Sequence, residues 1–142
     1  MSLIRISGKR PENLGVRNGR LTPCPEDKAT CVCSQQQAEV RGELGPQHIH
    51  PFKYAGSPGD AMTRLLAVLL EEPRCTLVTQ TRDYVYAEFQ TDLLGMIHDV
   101  EFLVAPAESV IHVRSAARLG PSDFGMNRAR LETLRERFDD AE

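Results

Sequence analysis

No stretch of the 142-residue sequence comes near the ~20 consecutive apolar residues that a membrane-spanning helix requires. The opening residues Met1–Ser7 also lack the apolar centre of a secretory signal. Glycine-rich phosphate loops, nucleophile elbows and His-Glu-x-x-His motifs do not occur in the sequence either. We therefore expect a cytoplasmic chain without a transmembrane segment, and no motif in it identifies a reaction.

The formal net charge of −3 gives the molecule no strong positive field, so we expect no nucleic-acid partner. Four cysteines are too few for a disulfide scaffold in a chain of this length. An apolar content of 41% lies above the range of disordered chains. We predict one domain spanning residues 1–142, with no cofactor.

The chain divides into an irregular first part and a regular second part. Residues 1–57 have few periodic apolar positions and many Gly, Pro, Asn and Gln residues, which predicts a long, extended arm. Residues 58–142 follow a capping Ser57 and start with Pro58 at the first helical position, and apolar residues then recur at three- and four-residue spacing as far as Leu70. This pattern predicts an amphipathic helix, and a second one with similar spacing closes the chain.

Between the two helices, apolar and polar residues alternate with a period of two, and the breaks fall at turn-forming residues. The pattern predicts consecutive antiparallel strands over residues 75–81, 83–91, 97–104 and 110–115. We therefore predict an α+β fold, in which two amphipathic helices cover one face of a four-stranded antiparallel sheet.

The strand alternation also gathers an unusual set of side chains on the face away from the helices. This polar face consists of Tyr84, Tyr86, Glu88, Asp99, Glu101, His112 and Arg114. One interpretation is a solvated sheet surface with weak cross-strand ion pairs. The other is a concave binding surface that the arm covers and converts into a pocket.

The second interpretation predicts a binding module for a small polar or anionic molecule. Three arginines would hold the anion, two tyrosines and a glutamate would shape the pocket, and the start of the last helix would contribute an asparagine and free N–H groups. The predicted ligand-binding residues are Tyr84, Tyr86, Glu88, Arg114, Arg118, Asn127 and Arg128.

Two other functions remain open. The chain is an enzyme if Glu88 or Glu101 acts as a general base beside His112 or Tyr86. It is an interaction scaffold if the loop Leu93–Ile97, which is apolar for a hairpin tip, contacts a partner protein.

Several motifs give the chain a resemblance to the DUF1499 family, a group of bacterial and plastid proteins. The resemblance covers nearly the whole chain and implies a common fold unit but no chemistry. The chain departs from the usual family pattern at Cys33, His98, Ala117 and Pro121. The motifs that carry the resemblance are Leu21–Pro25, Cys31–Ser34, Tyr84–Phe89, Asp99–Phe102, Val113–Ala116 and Ser122–Arg128.

The cysteines of the arm, Cys24, Cys31 and Cys33, are compatible with three states. Reduced thiols are the default in a cytoplasmic chain. A zinc site is a weak candidate, because the spacing is not that of the common zinc knuckles. A Cys24–Cys31 disulfide that pins the arm is what the resemblance to exported relatives implies.

Overall fold

The computed structural model describes residues 8–36, 39–92 and 94–141. Met1–Ser7, whose sequence lacks the centre of a secretory signal, and Leu93, the first residue of the predicted contact loop, lie outside these ranges. Along the chain the elements are β1 (Val16–Arg17), β2 (Arg20–Leu21), β3 (Cys31–Cys33), β4 (Glu39–Val40), β5 (Glu43–Leu44), β6 (Phe52–Lys53), α1 (Pro58–Leu70), β7 (Cys75–Gln80), β8 (Tyr84–Gln90), β9 (Ile97–Ala105), β10 (Val110–Ala117) and α2 (Met126–Asp140).

Both predicted helices are present, and the first of them begins at a side-chain cap. The hydroxyl of Ser57 accepts a hydrogen bond from Asp60 N at 3.0 Å, so α1 starts as its sequence indicates. At the start of α2 the cap residue is Gly125, and the carboxylate of Asp123, two residues earlier, accepts from the backbone N–H of Gly125 and of Asn127. Neither helix, in the part of the chain that the structure describes, is long and apolar enough to cross a membrane.

The prediction of a four-stranded sheet is wrong, because the main sheet has six strands. β7, β8, β9 and β10 pair consecutively and antiparallel, as expected. The arm then adds β3 and β6, which both pair with the outer edge of β10. These two strands satisfy backbone groups that β10 would otherwise expose. They are three and two residues long, too short for the alternation that identifies a strand in a sequence.

The two faces of the sheet carry separate apolar clusters, and apolar side chains of the arm contribute to both. The helices pack on the face that carries Val85, Val100 and Val113, and together they form the main apolar core. The arm packs on the other face, where a smaller apolar cluster includes Leu21 and Leu103. The long arm is therefore a layer of the fold, and it forms the roof over the polar face.

A disulfide between Cys24 and Cys31 lies within this arm layer. Cys33 and Cys75 are free thiols. A zinc site built on Cys24, Cys31 and Cys33 would therefore lose two of its three thiolate ligands to the disulfide. No group of three or more potential metal ligands occurs within residues 8–36, 39–92 and 94–141.

The disulfide is expected to stabilise the fold by holding the arm in place. Replacing both Cys24 and Cys31 by alanine should lower the free energy of unfolding by about 2 to 3 kcal/mol, because the bond closes a short loop in the unfolded chain. Urea unfolding followed by circular dichroism measures this change. A reductant should destabilise the natural chain by a similar amount and leave the double variant unaffected. Equal urea midpoints for the oxidised natural chain and the double variant would contradict the prediction.

Candidate functional site

The polar face lies beneath the arm and is not solvated. Glu101, Asp99 and Arg114 are 0%, 1% and 3% exposed. Cross-strand pairing sets Glu101 directly between Tyr86 on β8 and Arg114 on β10, so these residues share one face as the alternation predicts. The interpretation as a solvated sheet surface is therefore wrong. Buried charges need partners, and the arrangement of those partners defines the site.

Arg118 is the best-satisfied cation of the buried cluster. Its Nε and Nη2 atoms donate to the two carboxylate oxygens of Asp99, each at 2.9 Å, which is a bidentate pair. Nη2 also lies 2.8 Å from Oε2 of Glu88, and Nη1 donates to the backbone carbonyl of Gly8 in the arm. These bonds outweigh the effect of burial and raise the pKa of Arg118. Arg118 therefore stays charged and joins the strands to the arm.

Tyr86 and Arg10 complete this half of the cluster. The Tyr86 hydroxyl lies 2.5 Å from Asp99 Oδ1 and 2.9 Å from Glu88 Oε2. Arg10, from the arm, donates to Glu88 Oε2 at 2.8 Å. Burial raises the pKa of Glu88, but the hydrogen bonds from Arg10 and Tyr86 outweigh it, and the net pKa lies below the ordinary 4.5.

The other half of the cluster centres on Glu101. Its Oε2 atom accepts hydrogen bonds from the Tyr84 hydroxyl at 2.5 Å and from the backbone N–H of Gly15 at 2.7 Å. Burial raises the pKa of Glu101 above 4.5, and these bonds do not offset it. Burial, followed by the charge of Glu101, also raises the pKa of Tyr84. The Gly15 contact fastens the arm directly over this carboxylate.

Arg114 differs from the rest of the cluster because it is not satisfied. Its Nη1 atom is 3.7 Å from Glu101 Oε1, which is an ion pair at a distance beyond a hydrogen bond. Both Arg114 Nε and Glu101 Oε1 are buried without a hydrogen-bond partner among the described residues. A guanidinium has five donors, and almost all buried polar groups in proteins are paired. Arg114 is therefore a buried cation with unused donors.

A cavity of about 270 Å³ opens beside Arg114. We call it the polar cavity. It lies between the end of β10 and the arm, and four of its lining side chains are basic while one is acidic. These charged residues are Lys9, Lys28, Arg114, Arg118 and Asp99. Asp99 is already bound by Arg118, so the uncompensated charge around the cavity is positive.

The structure brings five of the predicted site residues together and separates the others. Tyr84, Tyr86, Glu88, Arg114 and Arg118 belong to the buried cluster. Asn127 lies on the helix side of the sheet, where it accepts from Ser115 Oγ at 2.5 Å. Arg128 donates to the backbone carbonyls of Pro46 and His48 in the arm.

His112 also lies apart from the carboxylates with which the enzyme alternative groups it. Its Nδ1 atom is 3.0 Å from Ser34 Oγ, and its Nε2 atom is 3.1 Å from Glu108 Oε1. The Ser34 oxygen accepts a further bond from Val113 N, which ties the hydroxyl into the sheet edge. None of Glu88, Glu101 and His112 lines the polar cavity.

Sequence reasoning anticipated that the arm would cover this site but missed the basic residues that the arm contributes to it. Lys9, Arg10 and Lys28 all come from a region without periodicity, so no pattern connects them to the sheet. The one available signal was the charge balance of the polar face. Its three carboxylates, once buried, require more cations than Arg114 and Arg118.

The model for the family described as "Protein of unknown function (DUF1499)" matches residues 20–138. The match includes the strand residues of the buried cluster together with Lys28, and it begins after Lys9, Arg10 and Gly15. No curated protein matches the chain.

Glu88 and Glu101 are expected to titrate on opposite sides of pH 4.5, although both belong to the same cluster. Carboxyl carbon shifts followed by NMR across the acidic range measure both values. Replacing Glu101 with Gln should remove the upper transition and leave the lower one. A single transition near pH 4.5 for both groups would contradict the prediction.

These two pKa shifts should make the free energy of unfolding depend on pH, and the contributions of Glu88 and Glu101 should change in opposite directions with pH. The pKa of Glu88 is lower in the folded chain, so its contribution is present above the unfolded pKa and is lost as the pH falls through the folded pKa. The pKa of Glu101 is higher in the folded chain, so its contribution is present below the unfolded pKa and is lost as the pH rises through the folded pKa.

Proposed function

Because the chain belongs to the DUF1499 family, whose description assigns no activity, we propose its function from the site itself: it is a module that binds a small anion in the polar cavity. The observation that carries this proposal is Arg114, a buried guanidinium without a hydrogen bond among the described residues, at the wall of a cavity with surplus positive charge. An oxyanion in the cavity would supply the missing acceptors.

Arg118 and Arg114 have different roles in this proposal. Arg118 is committed to Asp99 and Glu88, so it holds the cavity wall in place. Arg114 has only the 3.7 Å ion pair with Glu101, so its donors remain for the ligand. Lys9 and Lys28 reach the cavity from the arm, where they would attract an anion and complete its coordination.

The size of the cavity favours a small ligand. About 270 Å³ corresponds to roughly nine water molecules, which lies just below the range of drug-sized pockets. A phosphate or carboxylate group with a short polar remainder fits this volume. Phosphate and carboxylate share the acceptor geometry that a guanidinium recognises.

The enzyme alternative has less support. Glu101 has the raised pKa expected of a general acid or base. However, its oxygens face Tyr84, Gly15 and Arg114, and it does not line the polar cavity.

An interaction role for the Leu93–Ile97 loop stays a prediction. Leu94, in this loop, is 60% exposed.

The cytoplasmic location also stays a prediction. A disulfide such as Cys24–Cys31 is unusual in a reducing compartment.

Inorganic phosphate should raise the melting temperature of the natural chain, because a ligand that binds only the folded state stabilises it by mass action, by about 2.7 kcal/mol at one hundred times Kd. Acetate, tested separately, distinguishes a carboxylate preference from a phosphate preference. The ionic strength is kept constant with chloride, so that general screening does not contribute.

Replacing Arg114 with Met should abolish the phosphate effect. Because this change leaves Glu101 buried without a cation and risks unfolding, Lys28→Gln provides the second variant, and it should weaken phosphate binding several-fold. Lys53→Gln is the matched control, since it removes the same charge from an exposed position outside the polar cavity. The proposal fails if neither anion shifts the melting temperature, or if Lys28→Gln and Lys53→Gln bind phosphate equally well.

A further inference from the structure

A second cavity, larger than the polar cavity, lies on the opposite face of the sheet. It is bordered by the end of β8, the start of β9 and the start of α2. Its volume is about 460 Å³, within the range of small-molecule pockets. We call it the apolar cavity, because most of its wall is hydrocarbon. Four side chains of its wall, Leu94, Leu119, Phe124 and Met126, are among the exposed large hydrophobic residues of the described chain. Such a concentration of exposed apolar side chains around one cavity marks a contact surface.

Phe124 is the most unusual of these residues. It is 93% exposed and has a φ of 54°. A bulky residue in the left-handed region is strained, and an exposed ring gains little from packing against the protein. The fold therefore obtains no evident stability from an aromatic residue at this position. A ligand in the apolar cavity would pack against the Phe124 ring and remove part of it from water.

Arg130 supplies the polar end of the cavity. It lies over the Phe89 ring, with its guanidinium carbon 5.1 Å from the ring centroid, and Nη1 donates to Asn127 Oδ1 at 2.9 Å. It forms no ion pair with any described residue. Burial lowers its pKa to about 10, so the group remains charged at neutral pH. A largely buried cation without a carboxylate partner is unfavourable unless an anion joins it.

Asp123, an acid of the same cavity wall, does not fill this role. Both of its carboxylate oxygens accept hydrogen bonds at the start of α2, from Gly125 N and from Asn127 N and Nδ2. Nη1 of Arg130 also donates to Ser115 Oγ at 3.4 Å, so the acceptors of Arg130 among the described residues are neutral oxygens and no carboxylate.

His98 lies beside Arg130 in the cavity wall and is 4% exposed. Its Nδ1 atom is buried without a hydrogen-bond partner among the described residues. Burial, and then the charge of Arg130, lower the pKa of His98 to about 4, so the ring is neutral at physiological pH. A neutral imidazole has one N–H donor, which suits an acceptor bound at Arg130.

We propose that the apolar cavity binds a monocarboxylic acid with an apolar body, its carboxylate at Arg130 and His98 and its chain along Leu119, Phe124 and Met126. The volume corresponds to roughly fifteen water-sized groups, which fits a medium-length chain. The single unpaired cation matches a single negative charge, and the hydrocarbon wall matches the rest of the molecule. This site and its ligand class differ from the small anion of the polar cavity.

The test compares decanoate with decanol, which has the same chain and no charge, each as monomers in solution. Amide shifts in two-dimensional NMR give the affinity and the location of binding. In the natural chain, decanoate should bind at least tenfold more tightly than decanol, with shifts around His98, Leu119 and Arg130. Arg130→Met should remove this preference while decanol binding persists. Arg137→Met is the matched control, because Arg137 also lies on α2, is half exposed, pairs with Glu72 and does not line the apolar cavity, and it should keep the preference.

Phe124→Asn provides a variant that is safe for the fold, because asparagine tolerates a positive φ. It should weaken the binding of both decanoate and decanol several-fold. The proposal is overturned if decanoate and decanol bind the natural chain equally, if the shifts appear around Lys28, or if decanoate only causes self-association. Phosphate binding in the polar cavity should be unchanged by Arg130→Met, so the two sites succeed or fail separately.

Discussion

The burial of charged side chains beneath the arm is the constraint on which the rest of this structure depends. A sheet face with three carboxylates is removed from water, and each carboxylate would be strongly destabilising without a compensating partner. The strands alone provide too few partners. Arg10 and the backbone of Gly15, which both belong to the arm, supply hydrogen bonds that the strands lack. The arm is therefore held by the charges that it covers, and the charges are tolerated because the arm is there.

This mutual dependence explains how an apparently irregular segment becomes part of the fold. β3 and β6 pair with the edge of β10. The Cys24–Cys31 disulfide closes the loop that leads into β3. None of these features forms a core by itself. Each reduces the conformational entropy that the others must overcome. The arm then packs as a third layer, opposite the helices, and leaves a small cavity where its basic residues meet the end of β10.

The sequence contains enough information to predict the regular part of this fold. Alternation with a period of two places Glu101 and Arg114 on one face because a strand has no other way to arrange its side chains. The arm escapes prediction for the converse reason, since β3 and β6 are too short to show any period. Asn127 and Arg128 belong to α2 and therefore lie away from the polar face. Asn127 contacts the helix side of the sheet, and Arg128 contacts the arm at Pro46 and His48. Nearness to Arg118 along the chain did not predict nearness in space, because the chain crosses the sheet edge between them.

Arg118, Arg114 and Arg130, which border the two cavities described above, differ in how many of their hydrogen-bond donors the protein itself satisfies. Arg118 has a bidentate carboxylate and several further acceptors, so most of its donors are already bound. Arg114 and Arg130 are also largely buried, yet Arg114 forms no close ion pair and Arg130 forms none at all with the described residues. A buried cation without a close carboxylate is costly, because burial removes it from water and no opposite charge compensates for the loss. That both cations border a cavity is the physical reason to propose those cavities, and not the saturated cluster around Arg118, as the ligand sites of this chain.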